Sequence, residues 1–305
     1  MKSGSHLERV LVEGHFAVTA ELGPPKGTSA EFVRRKAELL KPCCDAVNIT
    51  DNQTAVVRMS SMASGAIVRE QGLDVVMQMT CRDRNRIAMQ SDILGAVALG
   101  IRNLLCLTGD HQKFGNHPGS KNVHDLDSIQ LLQMVKGMRD GGEFLSGDKI
   151  SGDVPLFIGA AANPYADPFE YRVVRLAKKV KAGADFIQTQ AVFDVARFAK
   201  WMEMVRDRGL HEQVYILAGL IPIKSVGMAR YMRDYVAGLS VPDELVTRME
   251  NAKEAKEEGL KIAVETIDQI RDIPGVRGVH IMAVAWEEVV PAIVEGAHLL
   301  PRPIV

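Results

Sequence analysis

Two carboxylates are the first candidates for catalysis because of the residues around them. Glu21 follows the apolar run 16–20 and precedes a Gly-Pro-Pro turn. This context places a carboxyl at the end of a strand, where apolar walls favour its protonated form and suit it to general-acid catalysis. Asp110 follows Gly109, which allows the backbone to approach a flat ligand closely. We take Glu21 and Asp110 as the candidate catalytic residues.

The elements that must position them alternate regularly along the chain. Short runs rich in β-branched residues predict eight strands, at 16–21, 45–50, 74–79, 102–107, 155–160, 185–190, 214–219 and 276–282. Apolar residues at three- and four-residue spacing predict a helix after each strand, at 29–41, 56–71, 84–99, 127–140, 167–182, 194–208, 223–237 and 286–297. The charged stretch 242–271 predicts two more helices before the last strand.

Strict βα alternation predicts parallel strands with right-handed crossovers, and eight such units close into a (β/α)8 TIM barrel. We therefore expect an α/β chain with one domain over residues 1–305. An open doubly wound sheet is the competing architecture, and it usually carries G-x-G-x-x-G after its first strand. Here the segment 23–27 reads Gly-Pro-Pro-Lys-Gly, which favours the barrel.

Polar residues stand at the predicted carboxyl ends of six strands, where the catalytic groups of such barrels lie. The loop 111–125 is longer than a connection needs, which is typical of functional loops. The helix after the fifth strand carries five cations that suit a phosphate-bearing cofactor, although a solvated helix face explains them almost as well. These cations are Arg172, Arg175, Lys178, Lys179 and Lys181.

Composition excludes several function classes. The chain has 37 Lys and Arg against 38 Asp and Glu, so no net charge attracts nucleic acid or anionic lipid. There is no apolar run of about 20 residues and no secretory signal at the N-terminus, from which we expect a cytoplasmic protein without membrane partners. The four cysteines form no C-x-x-C pair, and no H-E-x-x-H motif occurs. We expect buried free thiols, no metal site and no iron–sulfur cluster.

Five motifs at predicted strand ends resemble the methylenetetrahydrofolate reductase family. They are Ala20–Pro25, Val47–Asp51, Met77–Asn85, Leu104–Asp110 and Gly183–Gln190, and the resemblance runs in order from about residue 14 to residue 290. It implies an FAD-containing barrel that reduces 5,10-methylenetetrahydrofolate to 5-methyltetrahydrofolate.

The resemblance also implies roles for individual residues. Glu21 matches the general acid that opens the folate's five-membered ring, and Asp110 matches the carboxylate near flavin and pterin. Gln190, Met228 and Met232 match substrate-binding positions. A larger set matches positions that contact FAD: Thr50, Gln78, Leu107, Thr108, Gly109, Asp110, His124, Asn163, Arg172, Arg175 and Lys179.

Several positions differ from the common family pattern. Gln78 and Asn163 stand where His is frequent, Thr108 where some members have Arg, and His124 where Tyr is common. Each of these residues can still form hydrogen bonds, so flavin binding is expected although individual contacts differ.

The electron donor stays open between two alternatives. Gly159 stands where the resembled family has an aromatic residue near the flavin. The absence of that aromatic side chain weakens the case for stacking of NAD(P)H. The sequence is similar to the forms in anaerobic one-carbon-fixing bacteria, in which a small iron–sulfur and zinc-binding subunit can deliver electrons. Direct NAD(P)H use and delivery by such a partner are both retained, and we expect an oligomer or a hetero-complex.

Two other functions compete with this interpretation. A phosphate-binding barrel with aldolase or synthase chemistry would need a Schiff-base lysine in a strand or a glycine-rich loop after strands seven and eight. The segment 217–222, which ends strand seven, has neither. A non-catalytic scaffold is the second alternative, and the presence of both Glu21 and Asp110 argues against it.

Overall fold

The computed structural model describes all residues from Met1 to Val305. Eight parallel strands form one closed barrel in the order of the sequence, which confirms the predicted TIM barrel. Each predicted strand lies within two residues of an observed one. The strands are β1 (Ala17–Leu22), β2 (Ala46–Ile49), β3 (Val75–Thr80), β4 (Asn103–Leu107), β5 (Phe157–Ala162), β6 (Phe186–Ala191), β7 (Tyr215–Leu220) and β8 (Val276–Ile281).

Eleven α-helices surround the barrel. They are α1 (His6–Val12), α2 (Ala30–Leu40), α3 (Ser61–Glu70), α4 (Arg86–Ala98), α5 (Ser128–Lys136), α6 (Phe169–Ala182), α7 (Val195–Asp207), α8 (Val226–Tyr235), α9 (Asp243–Glu250), α10 (Ala255–Arg271) and α11 (Val290–Gly296). The charged stretch before β8 forms α9 and α10, as predicted. None of these helices is long and apolar enough to cross a membrane.

Two helix starts differ from the prediction by four or more residues. Helix α3 begins at Ser61 rather than at 56, because the side chain of Ser60 accepts a hydrogen bond from the Ala63 N–H and caps the helix there. Helix α11 begins at Val290 rather than at 286, after a 3-10 turn over 287–289. We call the end of the barrel at which the strands finish the mouth. Both differences lengthen loops at the mouth.

Helix α1 was not predicted, and it packs at the opposite end of the barrel. Leu7, Val10 and Leu11 are fully buried against strand residues that include Phe157 and Phe186, whose rings stack 5.1 Å apart. At seven residues α1 is too short to give a clear helical period in the sequence.

The larger hydrophobic core lies between the strands and the outer helices. It contains the four cysteines 43, 44, 81 and 106, which are buried and free, as predicted. Gly159 faces inward, since a β-carbon on it would lie 2.3 Å from the Phe186 ring.

Candidate active site

A cavity of about 430 Å³ opens at the mouth, and we call it the first cavity. Side chains from six of the eight strands or the loops after them line it, together with the inner face of α6. It brings together eight of the residues predicted from the sequence: Glu21, Gln78, Leu107, Asn163, Arg172, Arg175, Lys179 and Gln190. Their convergence follows from the barrel, because the parallel strands all end at the mouth.

Glu21, at the end of β1, is the acidic residue in this lining. Its side chain is 16% exposed. The Gln78 side-chain amide donates a hydrogen bond to Glu21 Oε1 over 3.3 Å, and His280 Nε2 lies 3.8 Å from the same oxygen. The carboxyl is therefore held by neighbours from β3 and β8 while one side faces the cavity.

His280 is buried beneath Glu21 and belongs to a network inside the barrel. Its Nδ1 lies 2.9 Å from Thr19 Oγ1 and 3.2 Å from the Gln188 side-chain nitrogen. Gln188 is itself fixed by two reciprocal hydrogen bonds with Asn48, of 2.6 and 3.0 Å. If the Gln188 amide donates to Nδ1, the ring proton lies on Nε2, which faces Glu21.

The sequence analysis missed His280, Thr19 and Gln188. Strand alternation offered one signal, since Thr19 and Glu21 are two residues apart in β1 and therefore point to the same side. No comparable signal linked Thr19 to His280, because they are 261 residues apart.

Strand β6 is irregular next to Gln190, which lines the first cavity together with Gln188. The register between β6 and β7 shifts between Gln188 and Ala191. The Gly219 N–H donates to Thr189 Oγ1 over 2.9 Å, and a β-carbon on Gly219 would lie 2.3 Å from the Thr189 carbonyl oxygen. This bulge lies next to Gln190 at the edge of the cavity, and bulges are common near functional sites.

Three cations of α6 line the first cavity without a carboxylate partner within 4 Å. They are Arg172, Arg175 and Lys179, whereas Lys178 and Lys181 are exposed outside the lining. The Lys179 ammonium donates to the Ala161 carbonyl in β5. Burial, with Arg175 nearby, lowers the pKa of Lys179 to about 8. One face of α6 thus offers positive charge to a ligand.

A buried brace supports the ends of β2 and β3. Asp51 Oδ2 accepts hydrogen bonds from the Thr80 N–H and hydroxyl, both at 2.9 Å, and from Arg84 at 2.7 Å. Arg82 donates to the backbone carbonyl of Asp110 over 3.3 Å. The sequence analysis did not identify this brace, which fixes the start of the loop after β4.

Asp110 lies at the rim of the mouth rather than in the lining. Its carboxylate is exposed and makes no hydrogen bond. Thr108 is also exposed, while Gly109 has a φ of 90° and would bring a β-carbon within 3.0 Å of Thr80. His124 is exposed farther along the same loop, and its backbone N–H donates a hydrogen bond to the Cys81 carbonyl.

The remaining predicted residues also lie outside the first cavity. Thr50 is buried at the end of β2, and its hydroxyl has no hydrogen-bond partner. Met232 is 4% exposed and packs with Ala229 in a small core between α8 and α9, against which Met228 packs from the side. Substrate contact by these two methionines stays a prediction.

Comparison with known proteins shows the family to which the chain belongs. The family model for methylenetetrahydrofolate reductase matches residues 6–298. The chain belongs to the methylenetetrahydrofolate reductase family. A 5,10-methylenetetrahydrofolate reductase of Salmonella typhimurium is 24% identical, with 88% of this chain and 86% of the relative covered.

Longer relatives from yeasts match as well. Methylenetetrahydrofolate reductase 2 of Schizosaccharomyces pombe is 26% identical over 96% of this chain and 47% of the relative. The Saccharomyces cerevisiae protein of the same name is 26% identical over 80% of this chain and 40% of the relative. The chain thus spans less than half the length of these yeast relatives.

Among solved structures, an uncharacterized protein from Clostridium thermocellum that binds two copies of 5-methyl-5,6,7,8-tetrahydrofolic acid has a TM-score of 0.67. The match covers 96% of this chain and all of that one, at 13% identity. At this identity the likeness confirms the fold.

Proposed function

We propose that this chain reduces 5,10-methylenetetrahydrofolate to 5-methyltetrahydrofolate with a bound FAD. One observation carries the proposal: Glu21 and Gln190 face a single cavity whose opposite wall holds unpaired cations. The family and the name of the Salmonella relative support the same reaction.

The residues present fit a flavin dinucleotide. Arg172, Arg175 and Lys179 would hold its diphosphate, since guanidinium and ammonium groups form charge-assisted hydrogen bonds with phosphate oxygens. Gly109, at the rim of the mouth, permits close backbone approach. When bound, the flavin supplies the hydride that the methylene carbon of the folate accepts.

Glu21 acts as the general acid in this proposal. The neutral five-membered ring of the substrate is a poor hydride acceptor. Protonation of N10 by Glu21 breaks the bond between N10 and the methylene carbon, and leaves an electrophilic 5-iminium cation. The Nε2–H of His280 faces the carboxylate that remains, and Gln78 donates to the same oxygen.

Gln190 and Asp110 complete the substrate site. The Gln190 side chain, which lines the first cavity, can donate and accept hydrogen bonds with the edge of a pterin. We assign Asp110 the electrostatic stabilisation of the iminium cation, because its carboxylate at the rim has no other hydrogen-bond partner.

Two electron donors are compatible with the site. The lining of the first cavity contains no Phe, Tyr or Trp on which a nicotinamide would stack. NAD(P)H and an iron–sulfur and zinc-binding partner subunit are therefore both retained, and the donor is a variable of the assay.

The test is an anaerobic assay of the purified chain. We expect the chain to take up FAD, with absorbance bands near about 370 and 450 nm, and to convert methylenetetrahydrofolate to 5-methyltetrahydrofolate. NADH, NADPH and a reduced low-potential dye are compared as donors, and the product is measured by chromatography. A chain that binds no FAD and forms no product with any donor would instead be a scaffold or an aldolase-type barrel.

A further inference from the structure

A cavity of about 640 Å³ lies beside α1 at the end of the barrel opposite the mouth, and we call it the basal cavity. Its lining comes from α1, from Asp185 just before β6, and from the segments 211–215 and 275–277 at the starts of β7 and β8. This volume falls in the range of about 300–1,000 Å³ that holds small-molecule ligands. Nothing in the chemistry proposed for the mouth uses these residues.

Arg277 is the extra residue of a bulge at the edge of the basal cavity. The register between β7 and β8 shifts between Ile216 and Leu217, and Arg277 is left without a partner on β7. Its guanidinium carbon lies 5.7 Å from the centre of the Tyr215 ring, and its Nη2 donates to the Leu11 carbonyl over 3.2 Å. No carboxylate lies within 4 Å of this guanidinium. Since the group carries five N–H donors, most of them are left for a ligand.

The two buried carboxylates in the same lining are already engaged. Glu8 accepts hydrogen bonds from the three backbone N–H groups of the segment 2–4. Asp185 pairs with Arg139 over 2.5 Å and also with Lys2. Neither carboxylate pairs with Arg277, so the charge of Arg277 is available to an anionic group.

Hydrogen-bond acceptors lie on the segment that leads into β7. The Glu212 carboxylate is exposed and makes no hydrogen bond, although His211 Nε2 lies 4.0 Å from its Oε1. The Gln213 side-chain nitrogen donates to the Gly209 carbonyl over 3.2 Å, which leaves its side-chain oxygen free. Gly275, with a φ of 94°, lets the backbone before β8 approach His211, since an added β-carbon would lie 3.1 Å from the His211 β-carbon.

One cation and several acceptors in one cavity match a phosphorylated sugar. A guanidinium forms two parallel charge-assisted hydrogen bonds with a phosphate, and a carboxylate accepts hydrogen bonds from ribose hydroxyls. A phosphate alone would leave Glu212 and Gln213 unused. A ligand with several carboxylates would be repelled by Glu212, because like charges at one site oppose binding. Hydroxyl groups attached to a phosphate satisfy both parts of the lining.

We propose that the basal cavity binds a small metabolite that carries a 5-phosphoribosyl group, with Arg277 on the phosphate and Glu212 on the ribose hydroxyls. Sugar phosphates and nucleoside monophosphates share this group. The basal cavity has no residue in common with the first cavity, so this inference and the proposed function stand or fail independently.

The experiment measures equilibrium binding of ribose 5-phosphate, adenosine 5′-monophosphate and inorganic phosphate to the purified chain by calorimetry. We expect at least one of the two ribose phosphates to bind about tenfold tighter than inorganic phosphate, and the stronger of them identifies the source of the group. Arg277→Gln should weaken that binding about tenfold. Arg206→Gln is the matched control, because Arg206 also donates to one backbone carbonyl, that of Pro274, but lies outside the lining. This control should keep the affinity within about twofold.

Glu212→Ala guards against a folding defect, because Glu212 is exposed and makes no hydrogen bond. We expect it to weaken binding of the ribose phosphate about fivefold and to leave binding of inorganic phosphate unaltered. Arg175→Gln, in the first cavity, should change neither affinity. The inference is overturned if neither ribose phosphate binds tighter than inorganic phosphate, if Arg277→Gln binds as the unaltered chain does, or if Arg175→Gln abolishes binding.

Discussion

At the scale of single residues, Lys179 combines a positive charge with a largely buried position. Its ammonium contacts the Ala161 carbonyl, and burial lowers its pKa to about 8. Lys179 can therefore lose its charge at a pH only slightly above neutral.

Lys179 should therefore make cofactor binding depend on pH. Below pH 8 the protonated amine attracts the proposed diphosphate, and above it the neutral amine does not, so FAD affinity should fall as the pH rises from 7 to 9.5. Fluorescence titration of FAD at several pH values measures this. In Lys179→Met the affinity should be weaker at pH 7 and nearly independent of pH, and a variant that keeps the full pH dependence would contradict the assignment.

The sequence could indicate single residues where they end a strand, and much less where they depend on distant partners. Glu21, Gln78 and Gln190 lie in the first cavity because the mouth collects strand ends. His280 acquires its place from Thr19 and Gln188, which come from other strands. Asp110 lies at the rim because Arg82 holds its backbone there, which no local pattern reveals.

At the scale of elements, β6 pairs irregularly with β7 next to Gln190. Gly219 leaves the space into which the Thr189 carbonyl bulges. The pattern of apolar residues predicts both strands, but it does not contain the register shift, because that shift depends on the absence of a single β-carbon in the neighbouring strand.

Gly219→Ala should disrupt this bulge. The new β-carbon would lie 2.3 Å from the Thr189 oxygen and 2.9 Å from the Gln190 carbonyl carbon, so the two strands must move apart. We expect the free energy of unfolding to fall by about 1–3 kcal/mol and the folate affinity to fall with it. Urea denaturation and folate titration measure the two effects.

Gly227→Ala is the matched control for this change. Gly227 lies in α8, and the nearest atom to an added β-carbon is 4.0 Å away. The control should leave folate affinity unaltered and raise stability by up to about 1 kcal/mol, because alanine favours a helix. Equal changes in the free energy of unfolding and in folate affinity in the two variants would show that the close contact at Gly219 is unimportant.

At the scale of the whole molecule, the two ends of the barrel serve different purposes. The mouth holds two adjoining cavities that share Glu21. The opposite end is closed by the apolar face of α1 packed on Phe157 and Phe186. The strand and helix rhythm predicted the barrel and its mouth, whereas α1 was missed because one short helix adds little periodicity.

Leu11→Ala should test whether α1, which closes the end opposite the mouth, contributes to the stability of the barrel. Leu11 is fully buried in the cluster with the strand residues, so truncation should lower the free energy of unfolding by about 2–5 kcal/mol. Val12→Ala, at a position that is 52% exposed, should change it by less than about 0.5 kcal/mol. Urea denaturation compares them, and a similar small loss in both would mean that α1 is not part of the cooperative core.

The central claim is that Glu21 delivers a proton to the folate in a cavity shared with the flavin. It is tested most directly by anaerobic stopped-flow absorbance of FAD-loaded Glu21→Gln, with Glu31→Gln, a change on the exposed surface of α2, as control. We predict that oxidation of the reduced flavin by methylenetetrahydrofolate slows by about 10²–10⁴-fold, while its reduction by a low-potential dye stays within about twofold. Equal slowing of both half-reactions, or unimpaired oxidation by the folate, would contradict the account.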